Sequence, residues 1–162
     1  MPAIIPNLWF DDQAEQAAGF YVSIFPNSRI LEVTNYPEVG PGPAGAVMSV
    51  SFEIDGQPFI AINGGPEFHF TEAVSLEIPC DTQEEVDRYW NALIADGGQE
   101  SQCGWLKDKY GLSWQVVPTG MSDLFRGPDP QKVNRAMKAM LGMRKIDIAE
   151  LRRAAEDESD SA

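Results

Sequence analysis

The sequence predicts an α+β protein made of two strand-helix-strand-strand-strand modules followed by a helical extension. Three observations carry this. Apolar residues alternate at a period of two and then switch to helical spacing at two places, near residues 10 and 80. The order of elements after residue 73 repeats the order before residue 65, displaced by about 70 residues. Past Pro118 the pattern becomes purely helical.

In the first half, residues 4–10 alternate, with Ile5, Asn7 and Trp9 on one side and Ile4, Leu8 and Phe10 on the other, as a strand covered on both faces does. Asp12 with Glu15 three residues on reads as a capping box, and Ala14, Ala17, Ala18, Tyr21 and Phe25 then recur on one helical face until Pro26. Residues 29–36 form a second strand. A loop over residues 37–45 follows, with three prolines and three glycines. Strands at 47–54 and 59–63 flank Asp55-Gly56, a dipeptide suited to a tight hairpin because both residues tolerate positive φ.

The second half repeats this. Residues 73–80 alternate, and Thr82 with Glu85 starts a helix whose stripe is Val86, Tyr89, Trp90, Leu93 and Ile94. Gly97-Gly98 ends that helix. Strands are predicted at 99–102, 103–108 and 112–117, the last two hinged on a turn at 108–111 in which Asp108 hydrogen-bonds its own backbone. In the extension, Asp129-Pro130 begins a helix carrying Val133, Met137, Met140 and Leu141 and ending at Gly142; Ile148 and Leu151 mark a last short one. The modules therefore span 3–65 and 73–119, the extension 128–155, and a disordered acidic tail 156–162. With few apolar partners of its own, the extension is expected to pack on the sheet or on a second subunit, the subunit being favoured and giving a homodimer.

Composition narrows the function. A net charge of −13 opposes binding to phosphate backbones or anionic lipid, so neither nucleic acid nor a membrane is an expected partner. No stretch approaches the roughly 20 apolar residues of a span, and the first residues hold no basic-then-apolar run, which points to the cytoplasm. Cys80 and Cys103 are expected to stay reduced there. Cys103 has no histidine partner except the distant His69, so packing is favoured over nucleophilic catalysis. Ser75 and Ser113 have no triad context.

The duplicated unit resembles the vicinal oxygen chelate superfamily, the glyoxalase, bleomycin-resistance and extradiol dioxygenase group. Asn7-Leu8-Trp9-Phe10, Phe25-Pro26-Asn27-Ser28, Asn63-Gly64-Gly65-Pro66 and Gln102-Cys103-Gly104-Trp105 with Asp108, Gly111 and Trp114-Gln115 resemble its PhnB-like branch, labelled 3-demethylubiquinone-9 3-methyltransferase-like. The resemblance implies two curved mixed sheets of the glyoxalase type. Its enzymes hold a divalent metal on four strands inside a cup. Carried over, those places fall to Asn7, Asn63 (or Ala61), Ser75 and Gln115, none a good dication ligand. Glu77 is expected on the inner face as a structural acid, and Glu67 with His69 forms at best half a site from a loop.

The expectation is accordingly a cup without metal or cofactor that binds a small organic or aromatic molecule. Asn7, Asn63, Ser75, Glu77 and Gln115 supply its polar contacts, and Trp9, Trp105, Trp114 and Cys103 its walls. No catalytic residue is assignable. The alternatives are a metal-dependent lyase, isomerase or dioxygenase, or the methyltransferase of the label, although no glycine-rich loop of the kind that cradles a nucleoside opens a helix here.

Overall fold

The computed structural model describes residues 3–157 and 159. The chain forms two compact units, Met1–Phe70 and Thr71–Ala162.

In the first unit the order is β1 (Asn7–Phe10), α1 (Ala14–Ile24), β2 (Arg29–Asn35), β3 (Val47–Ile54) and β4 (Gln57–Asn63). The sheet runs β1-β4-β3-β2, with β1 parallel to β4 and the other neighbours antiparallel. Side chains alternate across a strand, so register assigns each a face. Leu8, Phe10, Val50, Phe52, Phe59 and Ala61 are buried on the side that packs on α1, whose Ala14, Ala17, Ala18 and Tyr21 are buried in turn. The alanines allow close approach, and Tyr21 stacks on Phe52 with ring centroids 6.3 Å apart. The opposite face carries Asn7, Trp9, Ser49, Ser51, Ile60 and Ile62, as the pairings Trp9 with Ile62 and Ile62 with Ser49 require.

The hairpin at Asp55-Gly56 forms as read, with φ of 46° and 79°. The first strand is shorter than expected, because its predicted start at Ile4 and Ile5 is exposed and Pro6 has no N–H for a ladder. The capping box at Asp12 and Glu15 does not form: the N-cap is Gln13, and its side chain caps nothing.

The second unit has β5 (Ser75–Cys80), α2 (Gln83–Ile94), β6 (Gln99–Glu100), β7 (Trp105–Lys107) and β8 (Ser113–Pro118), in the sheet order β5-β8-β7-β6. This is the first module's order again, including the parallel pair β5 and β8. Thr82 Oγ1 accepts from the Glu85 N–H at 3.2 Å, the predicted cap. The strands expected at 99–102 and 103–108 shrink to two and three residues. The reason is a turn at Cys103-Gly104, both with positive φ (58° and 83°), whose N–H groups donate to the Met143 and Arg144 carbonyls at 2.8 Å instead of to a strand.

That turn belongs to the extension's docking site. Helices α3 (Met121–Phe125), α4 (Pro130–Leu141) and α5 (Ile148–Glu156) follow β8, and α3 was not legible as a helix. Ala136, Ile146, Leu151 and Ala155 form a buried cluster against Met121, Leu124, Phe125, Met140 and Met143. Gln83 of α2 clasps it by donating to the Ile146 carbonyl (3.0 Å) and accepting from the Ile148 N–H (2.8 Å), and Lys145 pairs with Asp87 at 2.8 Å. A Cβ at Gly104 would stand 2.9 Å from the Val116 carbonyl oxygen and 3.2 Å from Ile146, so glycine is required for both φ and space. The extension thus packs on its own module, one of the two placements expected from sequence, and it buries Ala136 while Met137 and Leu141 stay exposed. Glu156, assigned from sequence to the tail, ends α5 and pairs with Lys132. Of that tail, residues 158 and 160–162 lie outside the described residues.

Asp108 anchors the β7–β8 turn. Its buried carboxylate accepts from the Tyr110 N–H (2.8 Å), the Leu112 N–H (3.1 Å) and Trp114 Nε1 (2.8 Å). Replacing Trp114 by Phe keeps the ring volume nearby but leaves Asp108 Oδ2 without that donor. Chemical denaturation of the Trp114→Phe variant should show a loss of about 1–3 kcal/mol, the cost of removing a hydrogen bond to a buried carboxylate.

Candidate functional site

Each module has one sheet face turned away from its helix, and the residues singled out from sequence divide unevenly between the faces. On the first module's outward face, Trp9 is half-buried. Its Nε1 donates to the Gly65 carbonyl at 2.9 Å, and its ring meets Phe68 edge-on at 5.1 Å. The Gly64 backbone lies flat on that ring, since a Cβ there would fall 2.2 Å from Trp9 Cζ2. Asn7 shares this face but is exposed, with its amide turned to the Ile5 carbonyl at 3.0 Å.

Asn63 faces the other way. It has the parity of Phe59 and Ala61, and its side chain holds module elements together. Oδ1 accepts from the Ala14 N–H (2.8 Å) and Nδ2 donates to the Val47 carbonyl (3.0 Å), while its own carbonyl accepts from Tyr36 OH. The α1 cap expected from Asp12 is therefore supplied by β4. The place on β4 that looks outward beside Trp9 is Ile62, and Ala61 is buried under α1.

In the second module, Ser75, Glu77, Trp105 and Gln115 share the outward face, because Glu77 and Trp105 both pair with Gln115 and Ser75 with Ser113. Gln115 Nε2 donates to Ser75 Oγ at 2.9 Å. Glu77 is exposed. Trp114 does not join them. It lies on the α2 side, 2% exposed, bound to Asp108. The expectation that Trp9, Trp105 and Trp114 line one cup thus fails for Trp114 on strand parity alone. Cys103 sits half-buried in the docking turn for the extension. Ser113 Oγ is buried with no hydrogen-bond partner, beside a small hollow of about 160 Å³ that the Lys107–Glu72 ion pair also lines.

The residues do not fit a catalytic dication. The outward positions at and beside the expected ligand places offer the amides Asn7 and Gln115, the apolar Ile62 and Ser75, with Glu77 the carboxylate among them. Glu67 and His69 are exposed on the loop after β4. Among the described residues no three His, Cys, Asp or Glu side chains converge to hold a metal ion. Neutral amides compensate poorly for a dication's hydration shell. Nor do they fit S-adenosylmethionine held in a glycine-rich nucleoside cradle. The Gly64 and Gly65 N–H groups donate to the Phe10 and Asp11 carbonyls, and no helix starts behind them to present free N–H groups.

What the first module does present is a cleft of about 770 Å³ at the end of β1 and β4. Trp9, Tyr36, Met48 and Ile62 contribute apolar walls, and the loop between β2 and β3 closes one side through Pro41 and Pro43. That loop folds back on itself: the Tyr36 N–H donates to the Ala46 carbonyl (2.8 Å) and the Gly45 N–H to the Tyr36 carbonyl (3.0 Å), and Gly42 presses on the Tyr36 ring. Sequence reading found Trp9 and Asn63 but missed Tyr36 and Met48, whose only signal was their place at the two ends of a proline-glycine loop.

Two mixed four-stranded sheets of one strand order, each with a helix on one face, define a fold of the vicinal oxygen chelate, or glyoxalase, class. Within it, the chain belongs to the family described as 3-demethylubiquinone-9 3-methyltransferase, whose model matches residues 2–117. Among solved structures it is similar to the PhnB protein of Bacillus cereus, at 37% identity over 73% of this chain and 100% of that one, with a TM-score of 0.66. Protein PA1353 of Pseudomonas aeruginosa shares 19% identity over 73% of this chain and 98% of its own, with a TM-score of 0.60. The fosfomycin resistance protein FosX of Listeria monocytogenes, in a structure complexed with Mn(II) and sulfate, shares 17% identity over 77% and 96% of the two chains, with a TM-score of 0.53. The latter two likenesses show the fold alone. No curated protein matches the chain.

Two stability measurements test the placements. Asn63→Ala removes both bonds of the amide and should cost about 1–3 kcal/mol in urea denaturation, with Asn63→Asp recovering the Ala14 contact but not the Val47 one. Cys80 is fully buried, and burial, then Glu85 and Asp81, push its thiol up to about 11. Because the raised value favours the protonated thiol in the folded state, that stabilisation is complete below the ordinary value and is lost as pH rises through the folded one. The urea midpoint should fall between pH 9 and about 11, with Cys80→Ala flattening the slope, and iodoacetamide at neutral pH should label Cys103 before Cys80.

Proposed function

We propose that this family member binds a small planar organic molecule in the cleft of the first module, without a dication as part of the site. The carrying observation is the cleft itself. Its size lies in the range of small-molecule sites, and it places Trp9, Tyr36, Met48 and Ile62 on a module whose outward face holds no metal-ligand set. An aromatic wall with fixed geometry favours a flat ligand, and Trp9 is fixed twice, by Gly65 through its N–H and by Gly64 beneath its ring.

Trp105, Gln115, Ser75 and Glu77 on the second sheet's outward face form a weaker second candidate, since the Gln115 amide is engaged with Ser75. The protein acts as a homodimer in the cytoplasm in this reading, which is supported by the fold class and by the absence, among the described residues, of any helix long and apolar enough to cross a membrane. Methyl transfer is attached to the family by its description, and in this chain it has no supporting feature beyond that.

Tryptophan fluorescence and calorimetry with a panel of planar heteroaromatic compounds should give saturable binding that Trp9→Ala weakens by about tenfold or more while Trp105→Ala does not. Stability of Trp9→Ala is followed in parallel to separate binding from folding. Elemental analysis of protein purified without chelator should find no stoichiometric dication, and S-adenosylmethionine should give no binding heat. A bound dication that ligand binding requires, or a panel with no binder, sinks the reading.

A further inference from the structure

From the charge around the cleft, we infer that its ligand is an organic cation: a flat ring system bearing one diffuse positive charge. This rests on the binding proposed above and adds the chemistry that the site selects. Asp11, Asp12 and Glu15 all line the cleft, and among the described residues no lysine, arginine or histidine does. All three carboxylates are exposed. They stand where β1 passes into α1, at the edge of a wall made by Trp9 and Tyr36, whose ring faces carry the negative end of the aromatic quadrupole. The carboxylates and the ring faces thus favour the same sign of ligand charge.

Acids at the start of a helix have a simpler role, since they complement its dipole. The dipole of α1 amounts to roughly half a positive charge, and the Ala14 N–H at its end is already taken by Asn63, so three carboxylates leave the mouth strongly negative. They do not make a metal chelate, for among the described residues no three acidic, histidine or cysteine side chains converge on one point. A compact dication is therefore poorly served. A cation whose charge is spread over a ring system needs no inner-sphere ligands; it keeps its flat body on the apolar wall and its charge in the field of the rim. The chain's net charge of −13 adds long-range attraction for the same class.

The test uses three tricyclic probes of near-equal shape and different charge on the full-length protein, by calorimetry: N-methylacridinium (cation), N-methylacridone (neutral) and acridine-9-carboxylate (anion). The cation should bind about tenfold or more tighter than the neutral probe, with the anion weakest, and the gap should narrow as salt is raised. In the triple variant Asp11→Asn, Asp12→Asn, Glu15→Gln, whose fold is checked by circular dichroism, the cation should fall to the affinity of the neutral probe while the neutral probe is unchanged. Equal affinities for cation and neutral probe, tighter binding of the anion, or a cation preference that survives in the triple variant overturns the cationic class and leaves binding in the cleft standing. If none of the three probes binds, both conclusions fall together.

Discussion

The first module depends on the carboxamide of Asn63. One side chain at the end of β4 satisfies the first N–H of α1 and the carbonyl that opens β3, and its backbone receives the Tyr36 hydroxyl at the end of β2. Four segments that are far apart in sequence meet on one residue, and the cleft is the space left in front of them. An amide suits this better than a carboxylate or an amine, because it alone offers a donor and an acceptor in fixed opposite directions. From sequence Asn63 was expected to be a polar contact of the cup; in the structure its amide bonds Ala14 and Val47. Both ends of its amide are already bonded within the module.

The second module has a counterpart of different chemistry. Asp108 gathers two backbone N–H groups and the Trp114 indole in a buried turn. Such a carboxylate is tolerable in the interior because both of its oxygens accept hydrogen bonds. It fixes Trp114 on the helix side and so leaves Trp105 as the aromatic residue of the outward face. The two modules share strand order and differ in what locks them, as expected of a duplication preserved in pattern rather than in residues.

The fold was largely legible because it is written in periodicity. Both helices, the Asp55-Gly56 hairpin and the Thr82 cap follow from local rules that hold wherever they occur. Three kinds of information were not local. The cap of α1 comes from a residue 49 positions away, so the nearby Asp12 and Glu15 looked like a capping box and were not one. Which face a strand residue occupies turns on register, and a shift of one residue inverts it. That is why Asn63, rather than Ile62, was assigned to the cup, and why Trp114 was grouped with Trp105. The split of the predicted strands by Cys103-Gly104 depends on carbonyls about 40 residues downstream, which no window of sequence around the turn reveals.

The manner in which the extension is attached bears on what holds it in place. The family match ends at residue 117, so α3, α4 and α5 lie beyond the part of the chain that the match covers. Their seam on that body runs partly through main-chain atoms: Cys103 and Gly104 donate to carbonyls of Met143 and Arg144, and these bonds are indifferent to the side chains at 143 and 144. Gly104 and the path of the backbone set this seam, and Met143 adds its side chain to the buried cluster beside it. An appendage joined in this way is clasped by the course of the main chain as much as by the chemistry of its side chains.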